Sequence, residues 1–195
     1  MPVDTIRMRA AALGMLVAPM WLVRVLDLFI PGNGSAAGHG IVPRTWYGLE
    51  GIPVAPFIHV SVQHLIANTA PLVVLGALVL MRGVGEFVFV VLTSGLISGL
   101  GTWIFGSADA QHVGASGIVF GLFGYLLCRT AFDRRWSSAA IALLVAIGYG
   151  TAMMSSLVPQ EGISWSGHFF GFLGGFAAAR LRYRAISASS TYSRP

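Results

Sequence analysis

Ser116 lies in "HVGASGIVFG", between Gly114 and Gly117. A serine hydroxyl becomes a useful nucleophile only beside a base. Flanking glycines would bare both the hydroxyl and the backbone N–H to an incoming carbonyl. If the serine opens a helix, the N–H groups of its first turn lack internal partners and can stabilise a developing oxyanion. His168, in "SGHFFGFLGG", is the histidine placed to serve as base without leaving His64 idle. His64 and Asn68, in "HVSVQHLIANTAP", are four residues apart and share one helix face, so they could donate to a common point. His59, five residues before His64, falls on a largely different face and is expected to do separate work near the surface. No acid accompanies these segments, and Asp109, in the loop before Ser116, should be solvated. The expected chemistry is that of a Ser116–His168 dyad without a third member.

Each feature also has a plainer reading. His64 and Asn68 could be polar contacts between helices, worth about 1 kcal/mol per bond. His168, Gly171, Gly175 and Ala179 are spaced 3, 4 and 4, a stripe of small residues after a histidine that lets another helix approach closely. Gly117, Gly121 and Gly124 make the segment after Ser116 its natural neighbour.

The elements that must position these residues are apolar. Of 195 residues, 55% are hydrophobic and 10% charged, with a mean hydropathy of +0.76. A soluble domain carries roughly a quarter charged residues, so the composition points to an integral membrane protein in contact with the lipid bilayer. The formal charge of +5 comes from arginine alone, and so few charges exclude a nucleic-acid surface. Abundant Ala and Gly with no lysine point to a GC-rich bacterial source. The single cysteine, Cys128, rules out a disulfide framework.

A membrane-spanning helix needs roughly 20 mostly apolar residues. Six stretches qualify: 10–30, 59–81, 84–105, 114–132, 137–158 and 165–182. The fold class expected is therefore all-α, a six-span membrane domain over 10–184 between a short tail at 1–9 and a disordered tail at 185–195. The first stretch is too long for a cleaved signal and holds Arg24 and Asp27, so it is read as a retained span. Arginines 7, 9, 82, 129, 134, 135, 180, 182, 184 and 194 fall at the termini and in alternate loops, whereas the other loops hold Arg44 against Glu50, Asp109 and Glu161. Positive-inside bias puts both termini in the cytoplasm. His59, His64, Asn68, Ser116 and His168 then lie near the outer ends of spans two, four and six, converging on one outward-facing site. In hydrocarbon such polar groups are costly and mark function.

In that order and on those spans, "HVSVQHLIAN", "GASG" and "SGHFFGFLGG" resemble the rhomboid family of intramembrane serine proteases, over about 49–182. "GIPVAPFIH" is similar to the family's entry into its second span. The resemblance implies a six-helix bundle in the inner membrane with a water-filled cavity open to the outside. It makes Ser116 the nucleophile and His168 the general base. His64, Asn68 and the Ser116 N–H form the oxyanion hole beside Gly114, supported by His59, Gly117, Gly171 and Gly175. Glu86 corresponds to a structural acid near the cytoplasmic side. The implied reaction is hydrolysis of a peptide bond in or beside the transmembrane segment of membrane-protein substrates, with no metal or organic cofactor. The family's Trp-Arg pair in the first loop is Trp46-Tyr47 here, so its charge is either absent or supplied by Arg44.

Two other readings bear on the same residues. A non-catalytic relative that binds membrane proteins would be expected to have lost the serine or histidine, and both stand. A small transporter would show coupling charges or broken helices near the bilayer midplane, whereas the polar residues here gather at one end.

Overall fold

The computed structural model describes residues 3–29, 38–160 and 162–192. The first part of the long loop expected over 31–56, Glu161 and the last three residues, Arg194 among them, lie outside the described residues.

The apolar runs fold as helices: α1 (Val3–Phe29), the short α2 (Trp46–Glu50), α3 (Val62–Leu80), α4 (Val84–Phe105), α5 (Ser116–Asp133), α6 (Trp136–Ser155) and α7 (Trp165–Tyr192). Among the described residues no strand forms, and the one extended contact is an isolated antiparallel bridge between Ile41 and His112. Local chemistry sets the ends. Ser61 caps α3, its hydroxyl accepting from the His64 N–H at 3.0 Å, as N-cap serines do. Gly83, at φ +119°, makes the turn from α3 into α4 that a side chain would strain. Arg134 takes a left-handed conformation that stops α5 just before α6 begins.

Among the described residues, four helices are long and apolar enough to cross a membrane: Thr5–Phe29, Val62–Leu80, Val84–Phe105 and Trp136–Ser155. The other two long helices, α5 and α7, carry Ser116, His168 and several arginines. They tolerate this because they are shielded. α5 packs most extensively on α7 and also touches α3, α4 and α6, and residues 117–126 are buried without a break. α1 and α6 lie at the periphery and expose large apolar side chains such as Leu22, Phe29, Leu144 and Ile147, as a lipid-facing surface would. α7 runs on past Arg184, where the sequence reading ends the membrane domain, to Tyr192. Its alanines and serines contain no glycine or proline to break the helix before Pro195.

One end of the bundle is closed by charge. Glu86, at the start of α4, accepts from Tyr125, from Arg129 at 2.9 Å and from Arg182 at 2.6 Å. Asp133 accepts from Arg129 at 2.8 Å and Ser138 at 2.7 Å, with Arg82 at 3.4 Å. The network joins α4, α5, α6, α7 and the turn after α3. Ser116 stands at the opposite end of α5, about 20 Å away at 1.5 Å per residue.

Candidate active site

A cavity of about 900 Å³ opens at that opposite end, and His64, Asn68, Ser116 and His168 all line it. Four segments bring them there. On α3, His64 sits in the first turn, fixed by the Ser61 cap. Asn68 follows one turn later, is 4% exposed, and donates from Nδ2 to the His64 carbonyl at 3.0 Å, leaving its second N–H for other work.

The strand of loop leading to Ser116 passes beneath His64. Gly114, at φ +110°, holds a conformation suited to glycine. A Cβ there would lie 2.7 Å from His64 Cε1 and 2.9 Å from Nε2. Two successive N–H groups pin this loop: Gly114 donates to the Ala55 carbonyl at 2.8 Å, and Ala115 to His59 Nε2 at 3.4 Å. Ser116, half-buried, is the first residue of α5. The Ile118 and Val119 N–H groups share the Ala115 carbonyl, whereas those of Ser116 and Gly117 find no acceptor among the described residues. The first turn of a helix is where such donors arise.

His168 stands in the first turn of α7 and is 8% exposed. Its Nδ1 lies 2.9 Å from the Ser156 carbonyl at the end of α6. A carbonyl only accepts, so Nδ1 carries the proton and Nε2 keeps its lone pair. The ring stacks on Phe120, one turn after Ser116, with centroids 4.2 Å apart and planes within 8°. Ser116 and His168 line the same cavity without a direct hydrogen bond between them, a looseness common in unliganded sites.

Glycines hold α5 against α7. A Cβ on Gly171 would overlap the Gly117 carbonyl, and one on Gly175 the Gly121 carbonyl. A Cβ on Gly117 would overlap Ser98 Oγ, which donates to the Gly167 carbonyl at 2.8 Å. The two backbones are therefore in contact, as the small-residue spacing predicts.

The expectation for His59 needs correction. It is 1% exposed, with its ring 5.0 Å from that of His64. Helical spacing misplaces it because α3 begins only at Val62, so the preceding turn folds His59 inward onto Ala115. Arg44 answers the question left by Trp46-Tyr47. Its guanidinium donates to the Ile104 and Gly106 carbonyls at 2.9 and 3.1 Å, tying the first loop to the end of α4. Asp109 is exposed, as expected. Two groups at the site escape sequence reasoning. The Ser156 carbonyl has no residue-type signature. His112, which lines the cavity, bonds Ser164 Oγ at 2.7 Å and the Ser107 carbonyl at 3.1 Å.

Comparison with known proteins gives the family. A model of the rhomboid domain matches residues 45–185, which include all of these cavity residues. An uncharacterised protein of Mycobacterium tuberculosis is 36% identical over 174 residues, covering 85% of this chain and 71% of the relative. One from Mycobacterium leprae is 37% identical over 192 residues, covering 91% and 75%. Rhomboid protease GluP of Bacillus subtilis is 30% identical over 129 residues, 63% of this chain and 24% of that longer protein. With its apolar helices and a domain match across most of its length, the chain belongs to the rhomboid family of multi-pass membrane proteins.

Proposed function

We propose that the protein is an intramembrane serine endopeptidase that hydrolyses a peptide bond in or beside the transmembrane segment of membrane-protein substrates. His168 Nε2 takes the Ser116 hydroxyl proton while Oγ bonds to the scissile carbonyl carbon. The oxyanion forms against the Ser116 N–H, Asn68 Nδ2–H and the His64 ring. The C–N bond then breaks, His168 returns its proton to the leaving amine, and an ester to Ser116 remains. Water attacks that ester, gives its proton to His168, and releases the acid as Ser116 recovers its hydroxyl. The Ser156 carbonyl does the orienting that a carboxylate does in a triad, holding the imidazole in the tautomer that presents Nε2.

The observation that carries this reading is the one cavity shared by Ser116, His168, His64 and Asn68, with N–H groups at the start of α5 that are unpaired among the described residues. The protease name of GluP supports the same activity. The proposed setting is the inner membrane with six spans, α1 and α3–α7. Both termini and the arginine-rich end face the cytoplasm, and the cavity faces outward. Arg82, Arg129, Arg134 and Arg182 all belong to that inner end, as positive-inside bias requires.

The test is cleavage of a fluorescent transmembrane substrate in proteoliposomes. Ser116→Ala and His168→Ala should each lower kcat by at least about 10³-fold with folding intact. Cleavage at the wild-type rate by either variant rejects the dyad.

A further inference from the structure

His112 takes no part in that chemistry, yet its position is unusual. It lies four residues before Ser116, and its bonded partner Ser164 lies four residues before His168. The ring has both nitrogens engaged. The Ser107 carbonyl can only accept, so Nε2 donates to it, and in the neutral ring Nδ1 accepts from the Ser164 hydroxyl. The backbone of His112 is held as well: its N–H donates to the Ile41 carbonyl and its carbonyl accepts from the Ile41 N–H, both at 2.9 Å. Gly106 fits closely beneath the ring, since a Cβ there would lie 2.9 Å from Nε2.

Ser164 occupies the residue before α7, where a serine hydroxyl ordinarily caps the helix. Here that hydroxyl is turned to His112, while the Ser164 carbonyl accepts from the His168 N–H at 3.2 Å. The lead-in to the serine helix and the lead-in to the histidine helix are thus joined by one side-chain bond, between residues that line the same cavity as Ser116 and His168. The glycine contacts between α5 and α7 fix how close the helices lie, but smooth glycine surfaces resist sliding poorly. A directional bond at the ends of both helices resists it.

We propose that His112 is a positioning residue whose bond to Ser164 sets the register of α5 against α7, and with it the alignment of Ser116 Oγ with His168 Nε2. The inference rests on the dyad reading above. A misplacement of about 1 Å can cost about 10²-fold in rate, so loss of this bond should lower kcat by about 10- to 100-fold and leave KM near its wild-type value. Reaction of Ser116 with a small fluorophosphonate, which needs the dyad but no transmembrane substrate, should slow by the same factor.

The experiment compares wild type, His112→Ala, Ser164→Ala, Ser164→Thr, the double alanine variant and Ser116→Ala, all reconstituted at full length. For each, kcat, KM, fluorophosphonate labelling rate and unfolding midpoint are measured. The proposal expects both alanine variants to lose labelling and kcat together. The double variant should be no worse than either single one, since both remove one bond, and Ser164→Thr, which keeps the hydroxyl, should recover most of the rate. If His112→Ala fails to fold, Ser164→Ala removes one oxygen from the same bond and carries the comparison. Wild-type labelling rates in the alanine variants, additive losses in the double variant, or a change in KM alone would overturn the assignment. A wild type that neither labels at Ser116 nor cleaves would reject the dyad reading itself.

Discussion

At the arginine end of the bundle, Glu86 and Asp133 are surrounded by donors from four segments. At the cavity end, the polar groups carry no formal partner charge: among the described residues, His64 Nδ1 is buried without a hydrogen bond, and the Ser116 and Gly117 N–H groups point at no acceptor. Both ends hold costly polar groups in an apolar chain, but only one end satisfies them internally. A buried ion network left complete clamps helices together, while losing one partner leaves an uncompensated charge. Donors left unpaired around a cavity are instead available to something that enters it. The contrast separates what holds the helices from what acts.

Exchanges at the two ends should therefore fail differently. The largest effect belongs to Glu86→Gln, which leaves Arg129 and Arg182 facing a neutral group. It should cost about 3–5 kcal/mol of stability, read as a lowered unfolding midpoint in mild detergent, while the protein that remains folded keeps its kcat. A normal midpoint would show that the network does not clamp the bundle. Gly114→Ala should do the reverse. Its Cβ pushes against His64 at a strained φ, and kcat should fall by about 10²-fold in protein whose midpoint moves far less than that of Glu86→Gln. Equal losses of stability in the two variants would erase the distinction. Asn68→Ala removes one of the several proposed oxyanion donors, and a loss near the lower end of the usual 10²–10³-fold is expected in kcat, smaller than for Ser116→Ala.

The gentlest probe is pH. Burial pulls the His112 imidazole below its ordinary value of 6.5, outweighing the Ser107 carbonyl that raises it. Between the two values the unfolded chain binds more protons than the folded one, so stability is full above about pH 6.5 and declines as pH falls. The unfolding midpoint should follow that direction, and His112→Asn should make the slope shallower by one group's share. A midpoint that rises on acidification through this window would contradict the burial of a neutral ring.

Much of this was legible in residue types and spacing. Runs of apolar residues mark the helices, and His64, Asn68, Ser116 and His168 stand out because polar groups are rare there. Helical periodicity places His64 with Asn68 correctly, but it fails for His59, where the chain has not yet entered the helix. Hydropathy alone undervalues α5 and α7, because a helix enclosed by others need not be apolar. The His112–Ser164 bond spans 52 residues of chain, and neither residue type announces the other. Arg44 could be weighed in the sequence, yet its partners are main-chain carbonyls at the far end of α4, visible only once the loop is folded.

Main-chain partners have another consequence at His168. The group that orients the imidazole is the carbonyl of residue 156, and every amino acid carries one. A scan of side-chain replacements would return position 156 as silent, although it does the steering. What would disturb it is a change in chain path, such as a proline or a deletion in the connection between α6 and α7. This part of the proposed dyad is inherited through the course of the backbone.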